Sequence, residues 1–190
     1  MQHKAKKVTT RTKVLTSAAL LAAVGAGLAG AVSASADAPA AAPVAAPAAL
    51  KAKATFSSDH LTVDAATDAA RAALDAAEKE GQRVTVAVVD RNGNTVVTLR
   101  GDGAGPQSYE SAIRKAYTAV SWNAPTSELA KRLQSAPNLK DIPGTLFLAG
   151  GAPVAKDNAP VAGIGVAGAP SGDLDEKFAR AGVDAISNGS

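Results

Sequence analysis

Two runs of β-branched residues on either side of an Asn-Gly turn constrain the fold of this chain more than any other feature. Valines alternate with smaller residues over 84–89, and a second run follows at 95–99. Asn92 and Gly93 lie between the runs and accept the positive φ angles that tight hairpin turns need. The pattern predicts a β-hairpin. Because both faces of the runs are largely apolar, we expect the hairpin to be covered on both sides inside a sheet.

The first 36 residues have the pattern of a secretory signal. Five basic residues precede an apolar stretch at 18–32, and Ala34-Ser35-Ala36 is the small-x-small motif that signal peptidase recognises. A retained membrane anchor is the alternative, but the stretch is short for a span and rich in Ala and Gly. We therefore expect residues 1–36 to be a signal peptide and the product to be extracellular, either free or associated with the cell wall.

Charge and cysteine content limit the function classes. The chain has 20 basic and 17 acidic residues, and removal of the five basic residues in the predicted signal leaves a net charge of about −2. This balance gives no reason to expect nucleic-acid binding. The chain contains no cysteine. An exported product would therefore depend on core burial, a ligand or assembly for its stability, because disulfides are excluded.

A proline-rich segment separates the predicted signal from a single folded domain. Residues 37–54 are rich in Ala and Pro, a composition that favours an extended tether, and we assign residues 55–190 to one domain. Thr62 is expected to cap a first helix that runs to about Glu80, with alanines on its inner face and Gly81 as its stop.

Helical spacing continues after the hairpin. A second helix is predicted to start near Pro106, with Tyr109 on its inner face and Lys115 pointing away from the core. A short third helix is predicted to start at Thr126. The last helix is expected to open with a capping box formed by Asp173 and Glu176, which have the required spacing of three residues.

The remaining patterns complete a mixed fold. Strand signals cover 145–148, 153–155 and 161–167, and they are joined by short turns. The resulting order is α-β-β-α-α-β-β-β-α. It predicts an α/β fold of the α+β type, in which helices flank an antiparallel sheet of about five strands.

Two short motifs have simple structural explanations. Residues 163–168 match GxGxxG, but a dinucleotide site needs those glycines to close a strand and open a helix. Here they lie within a strand pattern, which favours close packing of a strand against a helix. Arg100-Gly101-Asp102 matches a cell-adhesion tripeptide. We interpret it as a strand that leaves the sheet into a Gly-rich turn.

His60 is the only histidine beyond the predicted signal, and that part of the chain also lacks Cys and Met. A lone histidine before a helix is usually only a solvated polar residue. However, a haem iron or another metal that takes a strong nitrogen or sulfur ligand from this domain must use His60, and Tyr109 and Tyr117 are the phenolate options. Asp75 and Glu78 could hold a ferric ion weakly, although such a pair more often marks the solvated face of a helix.

Four blocks in a fixed order make the chain resemble the GlcG/HbpS-type family, also called haem-degrading domains. The blocks are VAVVDRNGNTVVTLRGDGA, SAIRKAYTAVSWNAPTSEL, GTLFLAGGAPV and PVAGIGVAGAPSGDLDEKFARAGVDAI. The resemblance covers about residues 56 to 187. It implies a profilin-like sandwich that assembles as a homo-octamer. It also implies a protein that binds haem and reports haem or redox stress to a membrane sensor histidine kinase in a two-component system.

The resemblance also implies site residues. The haem-contacting residues of the family match His60 and Thr145, and because a hydroxyl is a poor iron ligand we expect Thr145 to position or hydrogen-bond the haem. The family's surface iron site, a Glu-x-x-Glu pair, matches Glu110, but Ile113 stands in place of the second glutamate. This departure places non-haem iron binding there in question.

Several functions follow from these observations. Haem binding is favoured over catalysis, because the sequence offers no acid–base pair beyond His60. The alternatives are a haem-degrading enzyme, a protein for another small molecule, and an assembly module that has lost haem binding.

Overall fold

A four-stranded antiparallel sheet with helices on both faces forms the frame of the protein. The computed structural model describes residues 47–187. The helices are α1 (Val63–Lys79), α2 (Pro106–Trp122), α3 (Thr126–Arg132) and α4 (Gly172–Ser187), with 3-10 turns at Ala52–Ala54 and Pro137–Asp141. The strands are β1 (Thr85–Asp90), β2 (Thr95–Arg100), β3 (Gly151–Lys156) and β4 (Ala159–Ala167), and they are arranged in the order β2-β1-β4-β3. The predicted α+β class is confirmed.

The two faces of the sheet carry different helices because side chains alternate along each strand. In β1, Val86 and Val88 join a core cluster with α1 and α4, which includes the fully buried Phe178. Ala87 points to the opposite face and packs against Ala112 of α2. The core therefore has two layers, one on each side of the central strands.

The first helix forms as its sequence predicts. The Thr62 hydroxyl accepts a hydrogen bond from the backbone N–H of Ala65 at 3.2 Å, which satisfies one of the free amides of the first turn. The inner alanines of α1 are fully buried. Gly81 follows the helix with a φ of +69°, a left-handed conformation that glycine adopts without strain.

The hairpin is also confirmed, but its second strand is less covered than predicted. β1 and β2 pair antiparallel around a turn in which the Asp90 carboxylate accepts hydrogen bonds from the backbone of Asn92 and Asn94. β1 is central and almost entirely buried. β2 lies at the edge of the sheet and has half-buried to exposed side chains. The expectation that both strands are enclosed was therefore wrong for β2.

The predicted strand at 145–148 does not form, so the described sheet has four strands where about five were expected. The backbone of this segment is held by α2 and pairs with no strand among residues 47–187. Arg114 donates to the carbonyl of Thr145 at 2.6 Å, and the N–H of Leu146 donates to the Thr118 hydroxyl at 2.7 Å. These side chains supply the bonds that a strand partner would otherwise provide.

Two orientations on α2 differ from the predictions. Tyr109, expected on the inner face, is 48% exposed. Lys115, expected to point away, is buried and bonds to Asp175 of α4 at 2.8 Å. An ionic partner on another helix thus keeps a lysine inside the fold.

The predicted capping box on α4 is wrong. The hydroxyl of Ser171 caps the helix by accepting from the N–H of Leu174 at 3.2 Å. The Glu176 carboxylate reaches α3, where it accepts from the N–H of Ser127 at 2.9 Å and from its hydroxyl at 2.8 Å. Glu176 therefore caps a neighbouring helix instead of its own.

Two glycines of the GxGxxG match, Gly163 and Gly165, lie within β4, as the strand interpretation requires, and the third, Gly168, directly follows the strand. A Cβ atom on Gly165 would lie 2.0 Å from the carbonyl oxygen of Ala112 in α2. Gly163 and Gly165 therefore serve close helix–strand packing, and neither opens a helix that could hold a dinucleotide. Within 47–187, no helix has the length and apolar character needed to cross a bilayer.

The predicted signal peptide lies outside the described residues. The same holds for most of the predicted tether, of which only 47–54 are described, and these are exposed. The domain boundaries remain predictions.

Candidate ligand-binding site

His60 lies on an exposed segment just before α1. Its imidazole is open to solvent, and Nε2 is 3.0 Å from the hydroxyl oxygen of Ser58. Residues 55–61 have no regular secondary structure. The imidazole therefore projects from a short irregular segment that the first turn of α1 anchors at one end.

The imidazole borders a shallow depression that both aliphatic and polar residues line. The depression has a volume of about 370 Å³ and lies between the segment before α1, the end of β3, the start of β4 and the end of α4. Its lining residues are Asp59, His60, Leu61, Val154, Ala155, Lys156, Val161, Ile186 and Ser187. An imidazole next to aliphatic side chains can coordinate a metal while those side chains contact the apolar face of a planar ligand.

An exposed ion pair lies at the edge of this depression. The Nζ atom of Lys156 is 3.1 Å from Oδ2 of Asp59, and both side chains are more than half exposed. The hydrogen bond to Asp59 raises the pKa of Lys156. Lys156 carries the only ammonium group among the residues that line the depression.

A second carboxylate near His60, that of Asp90, is already hydrogen-bonded within the hairpin turn. Partial burial raises the pKa of Asp90, but hydrogen bonds from Asn94 and Asn92, together with the charge of the nearby His60, hold it below its usual value. With Asp59 paired to Lys156, both carboxylates near the imidazole already have partners. The arrangement suits binding better than general acid–base chemistry.

Thr145 lies elsewhere and is almost completely buried. It is 1% exposed, its hydroxyl donates to the carbonyl of Ile142 at 2.7 Å, and Arg114 holds its carbonyl. The segment around Thr145 is bound to α2, whereas the depression beside His60 borders the α1–α4 side of the core. A single copy of the chain therefore does not bring His60 and Thr145 together.

The carboxylates predicted to bind surface iron are also separate from one another. Glu110 is exposed on α2 one turn before the half-buried Ile113, while Asp75 is half-buried and Glu78 exposed on α1. No cluster of three or more His, Cys, Asp or Glu side chains suited to a metal ion occurs in the part of the chain that the structure describes. Each predicted place thus offers at most two carboxylates.

Sequence reasoning missed Lys156 and the buried Lys115–Asp175 pair. Lys156 lies at the end of β3, where alternation along the strand gives no signal of a site. The partners in the buried pair are 60 residues apart in sequence. Only the fold brings such residues together, so no local pattern could have identified them.

Comparisons with known proteins place this fold in a family. The family model described as "Haem degrading protein HbpS-like" matches residues 61–184. The crystal structure of HbpS is 74% identical, with 74% of this chain and 99% of that chain covered and a TM-score of 0.72. A double mutant of Streptomyces reticuli HbpS, with two glutamates changed to aspartate, is 75% identical, with 74% and 97% covered and a TM-score of 0.72.

A more distant relative was solved with its ligand. The structure of the PduOC:haem complex is 28% identical to this chain, covers 68% of this chain and 96% of that one, and has a TM-score of 0.63. No curated protein sequence matches the chain. The family model spans more than half of the sequence, and two HbpS structures share about three quarters of their residues with it. The chain therefore belongs to the HbpS-like family of haem-degrading proteins.

Proposed function

We propose that this protein is an extracellular haem-binding protein in which His60 coordinates the haem iron. The observation that carries the proposal is the position of His60, an exposed imidazole at the edge of a depression that contains aliphatic side chains. The only other histidine, His3, lies within the predicted signal. Membership of the family and the haem complex of its relative PduOC support the same ligand.

The residues around His60 fit haem in chemical character. Leu61, Val154, Val161 and Ile186 offer apolar contact to a porphyrin, and Lys156 offers a positive charge near the edge. Bound haem would supply a redox-active iron. The chain itself supplies the imidazole, the apolar surface and the charge.

We extend the proposal to assembly, because one copy provides only a shallow site. Ligand sites typically enclose about 300–1,000 Å³ and bury most of their ligand. This depression, with about 370 Å³, lies near the lower end of that range and is open to solvent. A second copy that covers the site would complete it. The family resemblance suggests a homo-octamer, and in such an assembly Thr145 of one copy could approach the haem held by another.

The proposed role is to report haem or redox stress to a membrane sensor histidine kinase. The predicted signal peptide would place the protein outside the cell, where haem and peroxide arrive first. The kinase partnership rests on the family resemblance. A redox-active group on an exported protein is suited to this role, because the domain contains no Cys or Met that could sense oxidants.

Haem degradation is the second candidate, and the description of the matching family favours it. The carboxylates near His60 have partners, so no free acid–base group lies beside the imidazole in the described residues. Loss of haem in the presence of peroxide would then come from the bound iron. Non-haem iron at Glu110, or at Asp75 and Glu78, stays a prediction that isothermal titration with ferric citrate would test.

Titration with hemin tests the proposal. Wild-type protein should shift the Soret band saturably. The His60→Ala variant should bind at least about tenfold more weakly, the smallest loss typical of a disturbed metal site. Ser187→Ala is the matched control, since Ser187 lines the same depression without an iron-ligating atom, and it should bind as the wild type does.

Two outcomes would contradict parts of this function. An unchanged Soret shift in the His60→Ala variant would remove His60 from the site, and no shift in wild-type protein would leave an assembly module without haem. Addition of peroxide to the complex separates binding from degradation. Bilin-like products in molar excess over the protein would show catalytic turnover. If the protein only binds haem, breakdown of the bound haem by peroxide gives at most one equivalent of product per protein.

A further inference from the structure

Two consecutive residues before α1 already bond to the polar side chains of the proposed haem site. The Ser58 hydroxyl oxygen is 3.0 Å from Nε2 of His60, and Oδ2 of Asp59 is 3.1 Å from Nζ of Lys156. Both contacts come from the irregular segment before the helix, and both involve side chains at the edge of the same depression.

Haem would make contacts of the same two kinds. Its iron takes an imidazole nitrogen as axial ligand, and its two propionates are carboxylates that pair with ammonium or guanidinium groups. Among the lining residues, the only ammonium group is that of Lys156. A haem seated over the aliphatic side chains therefore meets a nitrogen held by Ser58 and a cation held by Asp59.

We propose that Ser58 and Asp59 are internal occupants of the haem site, and that Lys156 is the residue that binds a propionate once haem displaces Asp59. This inference rests on the proposed haem-binding function. Asp59 offers Lys156 the same chemical group that a propionate offers, so entry of haem exchanges one carboxylate for another. Ser58 leaves the imidazole nitrogen in the same step.

The size of the effect follows from the exposure of the contacts. The Lys156 and Asp59 side chains are 62% and 64% exposed, and exposed ion pairs are weak enough to exchange readily. The apparent affinity for haem falls by the fraction of the protein in which the site is open. Removal of one internal contact should therefore tighten binding by about twofold to fivefold, and removal of Lys156 should weaken it by a similar factor.

Two probes and three variants test the exchange. Hemin carries both propionates, and hemin dimethyl ester carries neither free carboxylate. Asp59→Asn and Ser58→Ala should each bind hemin about twofold to fivefold more tightly than the wild type, and Lys156→Gln should bind it more weakly by a similar factor. With the ester, the variants of Asp59 and Lys156 should match the wild type, while Ser58→Ala should still bind more tightly.

Matched controls separate exchange from general charge effects. Asp157→Asn removes the same charge one residue from Lys156, but in the described part of the chain Asp157 makes no ion pair with Lys156. It should change hemin affinity less than Asp59→Asn does. Lys79→Gln removes an exposed lysine from the last turn of α1, at the opposite end of that helix from His60, and should leave affinity unchanged.

The outcomes distinguish this inference from the proposed function. If wild-type protein shifts the Soret band through His60, but Lys156→Gln binds hemin and its ester as the wild type does, haem binding stands and the exchange is overturned. Equal tightening by Asp157→Asn and Asp59→Asn would also overturn it, because simple repulsion would then explain both. If wild-type protein does not bind hemin at all, both proposals fall.

Discussion

The ammonium group of Lys115 and the carboxylate of Asp175 form a buried ion pair that joins three elements. Their side chains are 6% and 5% exposed and lie 2.8 Å apart. The ammonium also donates to the carbonyl of Val166 at 3.1 Å, and the N–H of Ala169 donates to Asp175 at 3.0 Å. The pair thus links α2 to the end of β4 and the first turn of α4.

Burial makes the two partners depend on each other. Desolvation raises the pKa of the Asp175 carboxyl, and the hydrogen bond and charge of Lys115 oppose this rise. Without Lys115, the carboxylate would remain in a site from which water is largely excluded. The loss of one partner is therefore expected to cost much more than the loss of an exposed ion pair.

We predict that Lys115→Met lowers the free energy of unfolding by about 3–5 kcal/mol, as is usual when one partner of a buried pair is removed. Urea unfolding followed by circular dichroism measures the change. Lys177→Gln, which breaks an exposed pair with Glu80, is the control and should cost less than about 1 kcal/mol. Similar losses in the two variants would show that the buried pair has no special role.

At the scale of single residues, the sequence predicts what local chemistry determines. The Thr62 cap and the Gly81 stop depend on neighbours within a few positions, and both are confirmed. Lys115 depends on a partner 60 residues away. Helical spacing alone places it on an outer face, so the prediction for it was wrong.

Helix α2 packs so closely on β4 that there is no space for a side chain at two glycines of the strand. The Cβ atom of an alanine at 163 would lie 2.2 Å from the carbonyl oxygen of Ala116, and one at 165 would lie 2.0 Å from that of Ala112. Both obstructing atoms belong to the helix backbone. The helix would have to move away from the sheet to admit either side chain.

We predict that Gly165→Ala destabilises the protein by about 1–3 kcal/mol or more, the cost typical of overpacking. The matched control is Gly105→Ala, where the new Cβ atom would meet only the flexible side chain of Gln107. Gly105 is the N-cap residue of α2, so that variant should cost at most about 1 kcal/mol, the typical effect of a less favourable N-cap. Thermal and urea unfolding of both variants measure the difference, and a wild-type stability for Gly165→Ala would contradict this account of the packing.

Helices and strands could be predicted where the apolar residues of a segment repeat with one clear period. The hairpin and the four helices have such a period, and the structure contains them. Residues 145–148 have strand-like composition, but Arg114 and Thr118 of α2 bind their backbone. Such tertiary competition for hydrogen bonds has no signature in the segment itself. The same limit applies to Glu176, which caps α3 in place of its own helix.

At the scale of the whole molecule, the segment around Thr145 presents an apolar surface on a fixed backbone. Ile142 and Leu148 flank it and are 40% and 58% exposed. The contacts from Arg114 and Thr118 hold the backbone between them. Large exposed apolar patches mark surfaces that another protein covers, whereas single exposed apolar side chains are common. The assignment of these two side chains to a contact between copies therefore rests on the proposed homo-oligomer.

We predict that Leu148→Glu weakens assembly, because a charge would be buried where two copies meet. Light scattering coupled to size-exclusion chromatography should give a lower mass for this variant than for the wild type at the same concentration. Lys79→Glu introduces the same side chain at an exposed position on α1, which packs on the other face of the sheet, and should leave the mass unchanged. If copies complete the haem site, the variant should also bind hemin more weakly, although His60 is intact.

A wild-type mass for Leu148→Glu would exclude this surface as the contact between copies. A lower mass with unchanged hemin affinity would show that one copy suffices for binding.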